Sequence, residues 1–78
     1  MNVTVRYFAN MRDRMGRAEE TLSIESNGIT VQELWSRLAP QQGLPNNVLI
    51  AVNMEYTDAS RVLKNGDEVA FFPPVTGG

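Results

Sequence analysis

The stretch that decides the fold is Thr30-Val31-Gln32-Glu33-Leu34-Trp35-Ser36-Arg37-Leu38. Val31, Leu34, Trp35 and Leu38 fall at i, i+3, i+4 and i+7, the spacing of one helix face, and the residues between them are polar. Thr30 is placed to cap the helix and Glu33, three positions on, to reach back to it, which makes a capping box. Pro40 cannot continue the helix and biases Ala39 out of the helical region. The apolar stripe is read as core, because a chain this short has few other apolar faces to bury.

Toward the N-terminus, Glu20 to Glu25 alternates, with Leu22 and Ile24 on one side, and Asn27-Gly28 punctuates a turn before the helix. In Ala9 to Met15, Met11 and Met15 stand four apart around Arg12, Asp13 and Arg14, which suits one or two helical turns stopped by Gly16. At the start, Val3, Val5 and Tyr7 alternate with Asn2, Thr4 and Arg6 and predict a strand. Toward the C-terminus, Gln41 to Asn47 is a polar loop. The unbroken run Val48-Leu49-Ile50-Ala51-Val52 then predicts a strand buried on both faces or nearly so. Tyr56 and Thr57 suit a short edge strand, and Lys64-Asn65-Gly66-Asp67 is a strong turn signal. Glu68 to Phe72 is the last strand, with Val69 and Phe71 on one face and Ala70 and Phe72 on the other. The order predicts an α+β domain over residues 1–72, a single small sheet packed on one main helix.

Composition narrows the function classes. The 78 residues suffice for one domain, and 42% hydrophobic with 21% charged is ordinary globular usage. The chain has no cysteine, so it offers no disulfide, no thiolate nucleophile and no thiolate zinc ligand. It has no histidine, the side chain that most often moves protons near neutral pH. A net charge of −2 argues against a nucleic-acid partner. No apolar run is long enough for a membrane span. Arg6 interrupts the N-terminal apolar stretch and no small-residue cleavage site follows, so the expected address is cytoplasmic. Glu19-Glu20 and Asp67-Glu68 read as solvated turn and edge charges, not a catalytic pair. With no phosphate-cradling loop and no nucleophile beside a base, no catalytic residue, metal ligand or bound cofactor is expected.

The reactive group is sought in Pro73-Pro74-Val75-Thr76-Gly77-Gly78, residues 73–78, which a compact domain does not need. Two adjacent prolines cannot donate ladder hydrogen bonds and favour an extended conformation, so the sheet ends near Phe72. Fully extended, such a tail reaches about 20 Å, enough to enter another protein's cleft. A terminal carboxylate reacts once activated, for example as an acyl-adenylate. The absence of Cβ at Gly77 and Gly78 lets the backbone pass a narrow channel and leaves the carbon open to attack. A frayed terminus with no role is the alternative on these residues alone.

Gly66-Asp67-Glu68-Val69-Ala70-Phe71-Phe72-Pro73-Pro74-Val75-Thr76-Gly77-Gly78 resembles the C-terminal signature of the MoaD family, the small subunits of molybdopterin synthase. Val5-Arg6-Tyr7-Phe8-Ala9-Asn10-Met11-Arg12-Asp13-Arg14-Met15-Gly16 is similar to that family's first strand and helix, and Ala51-Val52-Asn53 also fits. The resemblance implies a ubiquitin-like β-grasp fold, with the first and last strands parallel and adjacent at the sheet centre. It implies a sulfur carrier that is not catalytic by itself. A separate activating enzyme uses ATP to adenylate Gly78, and a persulfide donor converts it to a thiocarboxylate. The tail then enters the large synthase subunit, where sulfur passes to cyclic pyranopterin monophosphate. Carried over by position, Gly78 is the modified residue. Gly77, Thr76 and Val75 are the tail inside the partner, and Phe8, Arg12, Phe72, Pro73 and Pro74 meet the partner. On the residues alone Phe8 suits the core as well as an interface, and Arg12 suits a solvated helix charge.

Two other functions fit the same tail. A sulfur carrier of the thiamine pathway shares fold and diglycine, although Phe71-Phe72-Pro73-Pro74 favours the molybdopterin assignment. A ubiquitin-like protein modifier would use the same activated carboxylate to form isopeptide bonds.

Overall fold

The computed structural model describes residues 1–25, 28–45 and 47–73. Asn27 of the predicted turn and Pro74, Val75, Thr76, Gly77 and Gly78 of the tail lie outside the described residues. The elements are β1 (Asn2–Tyr7), α1 (Asn10–Met15), β2 (Glu19–Ser23), α2 (Val31–Leu38), β3 (Leu49–Val52), β4 (Glu55–Thr57) and β5 (Glu68–Phe72). No helix among the described residues is long and apolar enough to cross a membrane.

The helix forms as its sequence directs. The Thr30 side chain accepts the Glu33 N–H at 3.1 Å, and the Glu33 carboxylate accepts the Thr30 N–H at 3.1 Å. Val31, Leu34 and Trp35 are buried and Leu38 is half-buried. The Ala39 N–H closes the last turn on the Trp35 carbonyl at 2.8 Å, just ahead of Pro40.

That stripe covers one face of a five-stranded sheet in the order β2-β1-β5-β3-β4. β1 and β5 run parallel, with Val5 opposite Val69 and Tyr7 opposite Phe71. The remaining pairs are antiparallel. The first and last strands therefore lie side by side and parallel within the sheet, as in a β-grasp, ubiquitin-like fold. Val3, Val5 and Tyr7 from β1, Ile50 and Val52 from β3, and Val69 and Phe71 from β5 form the core with the helix stripe. Phe71 is fully buried, edge-on to Trp35 at 5.1 Å and stacked with Tyr7 at 6.2 Å. The Trp35 indole also donates to the Gln42 carbonyl at 2.9 Å, tying the loop after α2 to the core.

One expectation fails. Asp67 is not a solvated turn charge but a buried one, 5% exposed. Its Oδ1 accepts the Asn53 side-chain amide at 2.9 Å and its Oδ2 accepts the Lys64 N–H at 2.7 Å. A carboxylate is buried only when its oxygens are paired, and here they hold the turn before β5.

Candidate functional site

The site is the end of β5, where the central strand runs into Pro73. Strand alternation puts Ala70 and Phe72 on the sheet face away from α2. Register puts Arg6 beside Ala70, Ala70 beside Ala51, and Ala51 beside Tyr56. The four side chains thus form one row across the open face. Ala51 and Ala70 are buried although they stand apart from the core cluster, so they make a floor of small residues beneath larger neighbours.

Those neighbours are aromatic. Phe8 stacks on Phe72 with ring centroids 4.6 Å apart and planes 9° from parallel. Tyr56 approaches Phe72 from the other side at 6.2 Å and 56°. Phe8 is 38% exposed and Tyr56 75% exposed, while Phe72 and Pro73 are half-buried. Phe8 is therefore exposed and not a core residue. A contiguous exposed aromatic patch is the usual mark of a recognition surface.

The patch reaches this place through local strain. The Phe8 N–H donates to the Phe71 carbonyl at 3.1 Å, and the Phe8 carbonyl accepts the Met11 N–H at 3.1 Å. The residue between these bonds, Ala9, has φ 52 and ψ −129, the first central conformation of a type II′ turn and one that glycine prefers. A side chain there costs about 1–3 kcal/mol, and the surrounding contacts must hold it.

The charges near the patch are modest. Arg6 pairs with Glu68 at 3.3 Å on the same face, an exposed pair worth about 0–1 kcal/mol. Arg12 is exposed on α1 and lines a shallow hollow with Arg6, Phe8 and Glu19. It makes no ion pair among the described residues. Phe8, Arg12, Phe72 and Pro73 thus gather on one side of the molecule around the tail's root, while Pro74 to Gly78 lie outside the described residues. Tyr56 joins them and was not legible as a site residue. Its sequence neighbours show only a short strand, and its meeting with Phe72 depends on the register of β3 between β4 and β5.

The ThiS family model matches residues 5–78. The molybdopterin synthase sulfur carrier subunit of Haemophilus influenzae is 34% identical, over 97% of this chain and 99% of its own length. Among solved structures, SAMP1 from Haloferax volcanii superposes with a TM-score of 0.83 over the whole of both chains, and at 21% identity that likeness speaks to fold alone. A chain in the complex of subunits 1 and 2 of the molybdopterin-converting factor from Helicobacter pylori matches over the whole of both chains, with a TM-score of 0.68 and 28% identity. On these matches the chain belongs to the ThiS family and to the family of molybdopterin synthase sulfur carrier subunits.

Proposed function

We propose that this chain carries sulfur on its own C-terminal carbon and delivers it to a molybdopterin synthase large subunit. The observation that carries the reading is the end of β5: the central strand leads directly into a sequence closing in Gly77-Gly78, and the exposed aromatic patch lies at its root. Gly78 is the residue that is modified. A separate activating enzyme joins a Gly78 carboxylate oxygen to the α-phosphorus of ATP, which forms the acyl-adenylate and releases pyrophosphate. The outer sulfur of a donor's persulfide attacks the carbonyl carbon and expels AMP, giving an acyl disulfide; a thiol then attacks the donor-side sulfur, forms a disulfide with the donor and releases the thiocarboxylate. Val75, Thr76 and Gly77 occupy the partner's channel, where the missing Cβ of Gly77 and Gly78 keeps the carbonyl carbon open. In the large subunit the sulfur passes to cyclic pyranopterin monophosphate. Phe8, Tyr56, Phe72, Pro73 and Pro74 form the contact surface, with Arg12 at its margin. The chain itself holds no cofactor in this reading and works in the cytoplasm.

The relatives' names and the Helicobacter pylori complex of two subunits support the choice of partner. Intact-mass measurement tests the chemistry on protein purified with its activating enzyme, ATP and a sulfur source. The expected result is exchange of one oxygen for sulfur at Gly78; no exchange would overturn the reading. Binding to a thiazole synthase in place of the large subunit would reassign the pathway.

A further inference from the structure

We infer that the strained turn at Ala9 is a positioning device: it lays Phe8 flat on Phe72 and so sets the direction in which the chain leaves β5 toward Gly78. The inference rests on the sulfur-carrier reading and adds a role inside the carrier itself. Phe8 and Phe72 each lie one residue beyond the last parallel pair, Tyr7 opposite Phe71. The Phe8 N–H bond to the Phe71 carbonyl adds one more rung, and the ring stack carries the grip to the residue before Pro73. On its β1 side β5 is thus held one residue past the last parallel pair, while on its other side Phe72 is still paired with Leu49 of β3.

Ala9 makes this possible. Its positive φ turns the chain between the bond made by the Phe8 amide and the bond accepted by the Phe8 carbonyl. In an ordinary α or β conformation Ala9 would send α1 elsewhere and free the Phe8 carbonyl from Met11. No side-chain cap compensates at this helix start. Backbone strain in a residue other than glycine persists only where its surroundings over-determine it. Here those surroundings are the buried Met11 on one side and the Phe8–Phe72 stack on the other.

The leverage is large. Five residues past Pro73 span at most about 17 Å, so a tilt of roughly 20° at the root moves the terminus by about 6 Å. Transfer between two reacting groups is sensitive to displacements of about 1 Å. A fixed root lowers the ordering that the partner's channel must impose on the tail.

The test uses preloaded thiocarboxylate carrier and the large subunit, with single-turnover transfer measured at saturating partner and affinity measured separately. Phe8→Leu keeps an apolar side chain and loses the stack. Ala9→Val opposes positive φ, and Ala9→Gly accepts it. The expected result is a saturated transfer rate lowered about tenfold by Phe8→Leu and Ala9→Val, with rescue by Ala9→Gly. A loss confined to affinity, with the saturated rate unchanged in Phe8→Leu, overturns the inference and leaves Phe8 a contact residue. Residual dipolar couplings of the Val75 and Thr76 amides give a second readout that needs no sulfur chemistry. They should shift in Phe8→Leu while those of β1 and β5 stay fixed, and unchanged tail couplings overturn the inference. If the wild-type carrier transfers no sulfur, the carrier reading fails and the couplings still decide the role of Phe8.

Discussion

The side-chain amide of Asn53 donates to the buried carboxylate of Asp67 at 2.9 Å, and this bond ties the β3–β4 turn to the start of β5. Asn53 also accepts the Glu68 N–H through its side chain at 3.0 Å and donates its own N–H to the Glu68 carbonyl at 2.8 Å. The strand that ends in the tail is therefore pinned at its beginning by one asparagine and one aspartate. Replacing Asp67 by Ala leaves the Asn53 amide and the Lys64 N–H without their acceptor and should cost about 2–3 kcal/mol. Denaturation in urea should show a lower midpoint at an unchanged slope. Sulfur transfer measured where the variant is folded should equal wild type. A loss of transfer without a loss of stability would give Asp67 a chemical role that its burial does not suggest.

Why Asp67 was misread, and α2 was not, follows from the range of the forces involved. Thr30, Glu33 and the Val31/Leu34/Trp35/Leu38 stripe act within two helical turns, so sequence spacing alone specifies them. Asp67 is buried by partners on both sides of it, and Asn53 lies across a strand pairing that spacing does not reveal. The same holds on the open face. Phe72 was legible through its place before Pro73, but the Phe8–Phe72–Tyr56 cluster joins β1, β5 and β4, which only the register brings together. The tail reading rests on the sequence of residues 73–78 alone, and residues 74–78 lie outside the described residues.

Tyr56 offers the cleanest separation of binding from folding. It is 75% exposed on an edge strand, so Tyr56→Ser should change stability by less than about 0.5 kcal/mol. Where an aromatic side chain is an anchor of a partner surface, its loss costs about 2 kcal/mol of association or more. Calorimetric titration with the large subunit should therefore show an affinity reduced about tenfold or more. Equal affinities would remove Tyr56 from the contact surface.

Tyr7 gives the fold a weakness at alkaline pH. Burial, and then its bond to the Glu20 carboxylate at 2.8 Å, hold the hydroxyl protonated well above the ordinary tyrosine range, with Arg17 acting weakly the other way. The unfolded chain releases this proton near about pH 10 while the folded chain still keeps it. The contribution is therefore complete below that pH and is lost as pH rises through and beyond it. Urea denaturation at about pH 9 and about pH 11 should show a steeper loss for wild type than for Tyr7→Phe. Parallel losses would mean that the phenol is not the titrating group.

The β3–β4 turn carries backbone strain at a residue other than glycine. Asn53 and Met54 have φ 51 and φ 69, the left-handed pair of a type I′ turn, and Met54 is 91% exposed. Asparagine tolerates this region, whereas methionine enters it at a cost. Met54→Gly relieves about 1–2 kcal/mol of backbone strain. The added freedom of the unfolded chain takes back about 0.5–1 kcal/mol. A net gain of up to about 1.5 kcal/mol should appear as a rise of a few degrees in Tm. A fall in Tm would show that the Met54 side chain makes a contact worth more than the strain.

The tail prediction is the sharpest because it separates chemistry from fold completely. Residues 77 and 78 follow the last described strand by several positions, so changes there should leave stability within about 0.5 kcal/mol of wild type. Gly77→Val adds a branched side chain where a channel must pass a bare backbone, and the valine also refuses the positive φ values that glycine accepts. Extending the chain by one residue past Gly78 moves the carboxylate beyond the point where the adenylating and sulfur-accepting centres would meet it. Both variants should fold as wild type by circular dichroism and bind the large subunit through the aromatic patch. Both should fail to gain sulfur or to transfer it in a reconstituted synthase assay. Retained transfer by Gly77→Val would refute the channel argument, and retained transfer by the extended chain would refute the assignment of Gly78 as the reactive residue.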